Sequence, residues 1–201
     1  MTDRSLRRNL LLGTALVSSL GSPYVRRAYA AGGCVGSGGT YSCSGTINTP
    51  AGYTLTQPSI SATTSGPFTL NATGGNAFTL TTQTGQSFID THGATLTTTG
   101  TGFFGYNSTS GSITISTNGV INAPNGYGLH GKGAGSTSIS LSANNIYSAS
   151  GIYAKTTGSG NITIATTGTV TGTAQYGMVA TSGGSVSITS TGSVTFCWRG
   201  A

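Results

Sequence analysis

The chain has 201 residues, a formal charge of +6 and 34 glycines. Five of its eight cations (Arg4, Arg7, Arg8, Arg26 and Arg27) lie in the first thirty residues, so beyond Ala30 only Lys132, Lys155 and Arg199 face the single anion Asp90. No basic stripe remains to release counterions from nucleic acid, and without a G-X-Y period the glycine content does not indicate collagen.

Residues 1–30 read as a cleavable export signal. Arg4, Arg7 and Arg8 form a basic start, and Leu10 to Leu20 make an apolar stretch too short to span a bilayer. Ala28-Tyr29-Ala30 supplies the small residues that a signal peptidase requires, which places cleavage after Ala30. The export machinery is therefore an expected partner. Leu6-Arg7-Arg8-Asn9-Leu10-Leu11 also fits a twin-arginine signal, so both export routes stay open.

Cys34 and Cys43 follow closely, nine positions apart, in a chain bound for an oxidising space, and a disulfide that pins the first coil is expected. A metal pair is the alternative, although no other Cys or His lies near them in sequence. Residues 31–66 are rich in Gly, Ser and Thr and are expected to form an irregular N-terminal cap. Short strands are expected from Pro67 onward, at Phe68-Thr69-Leu70, Phe78-Thr79-Leu80 and Ala94-Thr95-Leu96.

From Gly111 a unit recurs. Gly111-Ser112-Ile113-Thr114-Ile115 returns as Ser138-Ile139-Ser140-Leu141, Ile162-Thr163-Ile164 and Val186-Ser187-Ile188, its first apolar residue advancing by 26, 23 and 24. Alternation of apolar and hydroxyl residues predicts half-buried strands, and a period near 24 predicts stacked coils. Ile113, Ile139, Ile162 and Val186 should form one interior ladder, and Ile115, Leu141, Ile164 and Ile188 a second. Thr114, Ser138, Thr163 and Ser187 should form an outward hydroxyl row. A second marker, a glycine corner, is read at Phe104-Gly105-Tyr106, Tyr127-Gly128-Leu129, Ser150-Gly151-Ile152 and Tyr176-Gly177-Met178, with positive φ as the expected reason for its glycines. The predicted fold is an all-β, single-stranded parallel β-helix over residues 67–195.

Catalytic chemistry finds little support. Beyond Ala30 there is one carboxylate, whereas glycoside hydrolysis usually needs two. Asp90 and His92 are read as a solvated coil edge. Gly131-Lys132-Gly133-Ala134-Gly135-Ser136 lacks the ending of a phosphate loop and is read as a flexible corner. No G-x-S-x-G elbow occurs. No catalytic, cofactor or metal residue is assigned, and no cofactor is expected.

The export signal, the Cys34 and Cys43 pair and coils such as Gly160-Asn161-Ile162-Thr163-Ile164-Ala165-Thr166-Thr167-Gly168-Thr169-Val170 resemble the passenger region of Gram-negative autotransporters over roughly residues 1–195. The resemblance implies a right-handed parallel β-helix carried outside the cell, often serving adhesion or biofilm formation. Since no catalytic motif matches, a non-enzymatic adhesin or display scaffold is expected, with host or bacterial surface molecules as partners. The C-terminal outer-membrane barrel of that family is not recognisable in the sequence, so this chain is expected in the periplasm. Phe196-Cys197-Trp198-Arg199-Gly200-Ala201 departs from the repeat and reads either as a break in the frame of a longer passenger or as a terminal cap. Edge-to-edge self-association through the exposed last coil, at Val186 and Ile188, is expected. An ice-binding Thr/Ser solenoid and a secreted polysaccharide-active β-helix are the other functional classes. The wandering period is expected to spoil the flat lattice that ice requires.

Overall fold

The computed structural model describes residues 32–196, and among these every regular element is a strand. Strands β1 (Gly32–Ser37) and β2 (Thr40–Thr49) form an antiparallel hairpin. Its turn is made by Gly38 and Gly39, whose φ values of 59° and 86° suit glycine. Every later pairing is parallel, and the chain winds into a β-solenoid of about six turns with three faces.

The first face takes the start of β2, then the start of β4 (Ser59–Ala72), β6 (Gly85–Ile89), the starts of β9 (Ser112–Gly133) and β10 (Ser138–Thr156), β11 (Ile162–Thr166) and β14 (Val186–Ser190). The second face takes the ends of β2 and β4, then β7 (Thr95–Thr98), the middles of β9 and β10, β12 (Val170–Gly172) and β15 (Val194–Phe196). The third takes β3 (Tyr53–Thr56), β5 (Phe78–Thr82), β8 (Phe103–Asn107), the ends of β9 and β10, and β13 (Met178–Thr181).

Side chains alternate across each strand, so every second residue enters the core. Ile113, Ile139, Ile162 and Val186 stand in register, as do Ile115, Leu141, Ile164 and Ile188. The ladders continue further toward the N-terminus than the repeat suggests. Gln86 and Ile60 extend the first ladder, while Phe88, Ala62 and Tyr41 extend the second. Burying each aliphatic rung contributes about 1.5–3 kcal/mol, and each rung touches only its neighbours above and below, so stability accumulates coil by coil.

Gln86 is the polar rung, buried between Ile60 and Ile113. With its amide oriented to satisfy both ends, it donates to the Leu80 carbonyl at 3.1 Å and accepts from the Tyr106 N–H at 2.9 Å. A buried amide is tolerable because both of its ends are paired.

Toward the N-terminus the core is aromatic. Phe78 packs against Phe68, Phe88 and Phe103 with ring centroids 6.0, 5.2 and 5.0 Å away, within the range of favourable ring pairs. Tyr53 stacks on Phe78 at 5.6 Å and donates its hydroxyl to the Cys34 carbonyl at 3.2 Å, which ties the hairpin to the third face. Cys34 and Cys43 face each other across the hairpin and are joined by a disulfide.

Several expectations change. Residues 32–66 are strand for most of their length rather than irregular: their inward positions (Cys43, Ile47, Leu55, Ala62, Thr64) alternate correctly, although Ala62 and Thr64 weaken the apolar contrast. The outward hydroxyl row beside Thr114, Thr163 and Ser187 contains Ser140; Ser138 pairs with Ser112 one row away. Gly105 stacks on Gly131 and not on Gly128. The true corner column is Gly102, Gly128, Gly151 and Gly177, as Phe103 pairs with Leu129, Leu129 with Ile152, and Ile152 with Met178.

None of these four glycines has positive φ. What they lack is room. A β-carbon on Gly102 or Gly128 would run into the Cγ2 methyl of Ile121 or Ile146, and on Gly151 or Gly177 it would lie 2.5 Å from a methyl of Val170 or Val194. The corner is glycine because the second-face ladder fills the space behind it.

The wandering period does not disturb the first face. Extra residues are absorbed at the corners, where the register shifts at Cys43/Gly45, Ala143/Asn145 and Ser148/Ser150 occur.

At the last described coil Val186, Ile188 and Phe196 are 45%, 42% and 58% exposed. The expected cleavage motif at Ala28 and Ala30, and Cys197 with the residues after it, lie outside the described residues.

Candidate functional site

On the third face the alternation that buries Phe103, Leu129 and Ile152 turns Phe104, His130 and Tyr153 outward, one per coil and in register. Phe104 and His130 lie 4.9 Å apart between ring centroids, and His130 and Tyr153 5.1 Å. Tyr127, at the entry to this face, packs 4.8 Å from His130 and 5.3 Å from Tyr153. All of these rings are half-buried, so they form a continuous aromatic shelf on the surface of the solenoid.

A parallel outward row lies beside it. Tyr106, Lys132 and Lys155 follow one another in register, and Lys132 Nζ sits 5.7 Å from the centre of the Tyr106 ring, in cation–π range. Both lysines are exposed. Gly131-Lys132-Gly133, expected as a flexible corner, is the end of β9; the turn is confined to the residues after it because Gly131 and Gly133 pair with Ala154 and Thr156. The backbone therefore holds Lys132 in place.

His130 is enclosed by Phe104, Tyr127 and Tyr153, and burial together with the neighbouring Lys132 charge lowers its pKa to about 4. It is a neutral imidazole near pH 7. Among the described residues its Nε2 has no hydrogen-bond partner.

Asp90, the only carboxylate beyond residue 30, lies elsewhere, at the corner between the first two faces, and is 3% exposed. It accepts hydrogen bonds from Thr64 Oγ1 at 2.9 Å, His92 N–H at 3.0 Å, Ala94 N–H at 2.7 Å, Thr117 Oγ1 at 3.3 Å and Asn118 N–H at 3.1 Å. Burial raises its pKa, but the bonds from Ala94, Thr64, His92 and Asn118 outweigh it and hold the carboxyl below the usual range. The expected solvated edge is thus corrected: Asp90 is a buried hub joining three successive coils. His92 itself is exposed, its Nδ1 3.1 Å from Thr91 Oγ1 and 3.4 Å from Thr64 Oγ1.

The aromatic–lysine strip was missed in the sequence, although a signal for it is present. Phe104, His130 and Tyr153 advance by 26 and 23 residues, the period of the coils themselves. Among the described residues, the assigned ladder positions from Ile113 to Ile164 are buried and carry no chemistry. No family model, no curated protein and no solved structure matches the chain.

Proposed function

We propose that the chain is an exported, non-enzymatic β-helical scaffold that makes surface contacts, the role of the autotransporter passengers it resembles, and that the aromatic–lysine strip is its contact surface. The observation that carries this reading is the strip itself: half-exposed rings and two exposed lysines, repeated in register on successive coils. Side chains that face water singly are ordinary, whereas a contiguous aromatic patch marks an interaction site. Export is supported by the composition of residues 1–30 and by the Cys34–Cys43 disulfide, which suits an oxidising compartment. The sole carboxylate beyond residue 30 is consumed by five hydrogen bonds, which agrees with a binding rather than a hydrolytic role.

The test has two arms. Fractionation of a Gram-negative cell expressing the chain should find it outside the cytoplasm with Cys34 protected from thiol labels. Beads coated with the purified chain should adhere to bacterial or host cells, and Tyr153→Ser should weaken that adhesion without lowering the melting temperature by more than a few degrees. Cytoplasmic, fully labelled protein, or adhesion indifferent to the strip, would overturn the reading.

A second reading is favoured by the first face. Thr40, Ser61, Ser87, Thr114, Ser140, Thr163 and Ser187 form an unbroken in-register hydroxyl row. Such a regular lattice suits ordered water, and thermal hysteresis of the purified chain tests ice binding directly.

A further inference from the structure

We propose that the strip binds a carboxylated polysaccharide, laid along the solenoid axis with its sugar rings on the row Phe104, His130 and Tyr153, flanked by Tyr127, and its carboxylates on Lys132 and Lys155. This inference rests on the strip being the contact surface and names its ligand class.

The charge argument comes first. Lys132 and Lys155 are directly paired neighbours on adjacent strands, about 4.8 Å apart at the backbone. Like charges so placed repel. The one carboxylate among the described residues, Asp90, is buried at another corner and already fully bonded. Among the described residues the two ammonium groups therefore have no anion of their own, and they present a matched pair to an anionic partner.

The shape argument is independent. The aromatic row advances by one ring per coil, about 4.8 Å, close to the rise of one sugar unit in an extended chain. Sugars offer apolar C–H faces to aromatic rings and hydroxyls to water, which suits rings that are half-buried rather than fully exposed. The lysine row runs parallel to this track, so a polymer with a carboxylate on successive sugars would meet rings and ammonium groups at the same interval.

Nucleic acid fits less well. Two cations release few counterions, and the rings are inclined to one another by 38–81° where stacked bases prefer parallel platforms.

The experiment titrates the purified chain with alginate oligosaccharides, with dextran as the neutral control and oligothymidylate as the nucleic-acid control. Alginate should bind, more weakly at higher salt. Lys132→Gln/Lys155→Gln should weaken that binding at least tenfold, and Tyr153→Leu should also weaken it, with circular dichroism and melting unchanged in the lysine variant. Equal affinity for dextran, preference for oligothymidylate, no binding of alginate, or binding unaffected by the lysine pair would overturn the proposal. Adhesion that depends on Tyr153 in a chain that ignores alginate would sink this inference alone and leave the contact surface standing. Adhesion and alginate binding both indifferent to the strip would sink the two together.

Discussion

Gly128 lies against Ile146 with no space for a β-carbon between them. The same relationship repeats one coil on, where Gly151 meets Val170. Overpacking of this kind typically costs about 1–3 kcal/mol. Gly128→Ala should therefore destabilise the chain by about that amount in urea denaturation, whereas Gly66→Ala, which meets nothing within 4 Å, should be close to neutral. Combining Gly128→Ala with Ile146→Ala should cost less than the sum of the two, since the second change opens the space the first requires.

The interior and exterior of one strand can be separated by a pair of substitutions. Ile164 is fully buried between Leu141 and Ile188, whereas the adjacent Thr163 is exposed. Ile164→Asp places an unpaired carboxylate in an apolar ladder and should cost more than about 4 kcal/mol. Thr163→Asp should stay within about 1 kcal/mol. Similar losses in the two variants would contradict the facing of β11.

Asp90 binds three coils together through its five donors, so Asp90→Ala leaves the buried Ala94 N–H and the buried Thr64 and Thr117 hydroxyls without their acceptor and should cost about 3 kcal/mol or more. Its folded pKa is depressed. The stabilisation it gives is present above the unfolded carboxylate pKa of about 3.9 and disappears as pH falls through that value and then through the lower folded one. Melting temperature followed from pH 6 to 2 should drop at the acid end, and Asp90→Asn should flatten that drop.

His130 acts in a higher window. The unfolded imidazole takes up a proton near pH 6.5, but the folded one resists until about 4. Between these values the unfolded chain binds more protons, so stability is complete above about pH 6.5 and declines as pH falls toward 4. An NMR titration should place the His130 midpoint near 4, and His130→Gln should remove the decline. A midpoint near 6.5 would contradict its enclosure by the three rings.

The Cys34–Cys43 bridge closes a short loop, for which the chain-entropy account gives about 2–3 kcal/mol. Cys34→Ser/Cys43→Ser should lower stability by that order and loosen the first coil most. Hydrogen exchange of β2 and β3 is the measurement, and uniform loss along the solenoid would argue against a local role.

The ladders from Ile113 to Ile188 were legible because a large apolar residue at every inward position makes the two-residue alternation plain. The coils before residue 67 were not, since Ala62, Thr64 and Gly45 keep the alternation but not the contrast. The corner was read one step out of place at its first occurrence, where Gly102 and Gly105 flank the same pair of phenylalanines. Only the pairing of Phe103 with Leu129 decides between them. The fate of Asp90 was hidden for a different reason: its partners Thr64 and Thr117 are 26 and 27 positions away and gain meaning only once the coils stack. The strip is hard to see in the sequence because its rings alternate with the buried ones, and Phe104, Tyr106 and Tyr127 read as corner markers beside their glycines.

Because surplus residues are taken up at the corners, coils that differ in length still present identical spacing on their faces. The molecule therefore behaves as a graduated ruler, each winding adding a fixed increment of height whatever its residue count. Corner insertions can vary without moving the graduations, and duplicating a whole winding would lengthen the scale while leaving every existing mark where it stood.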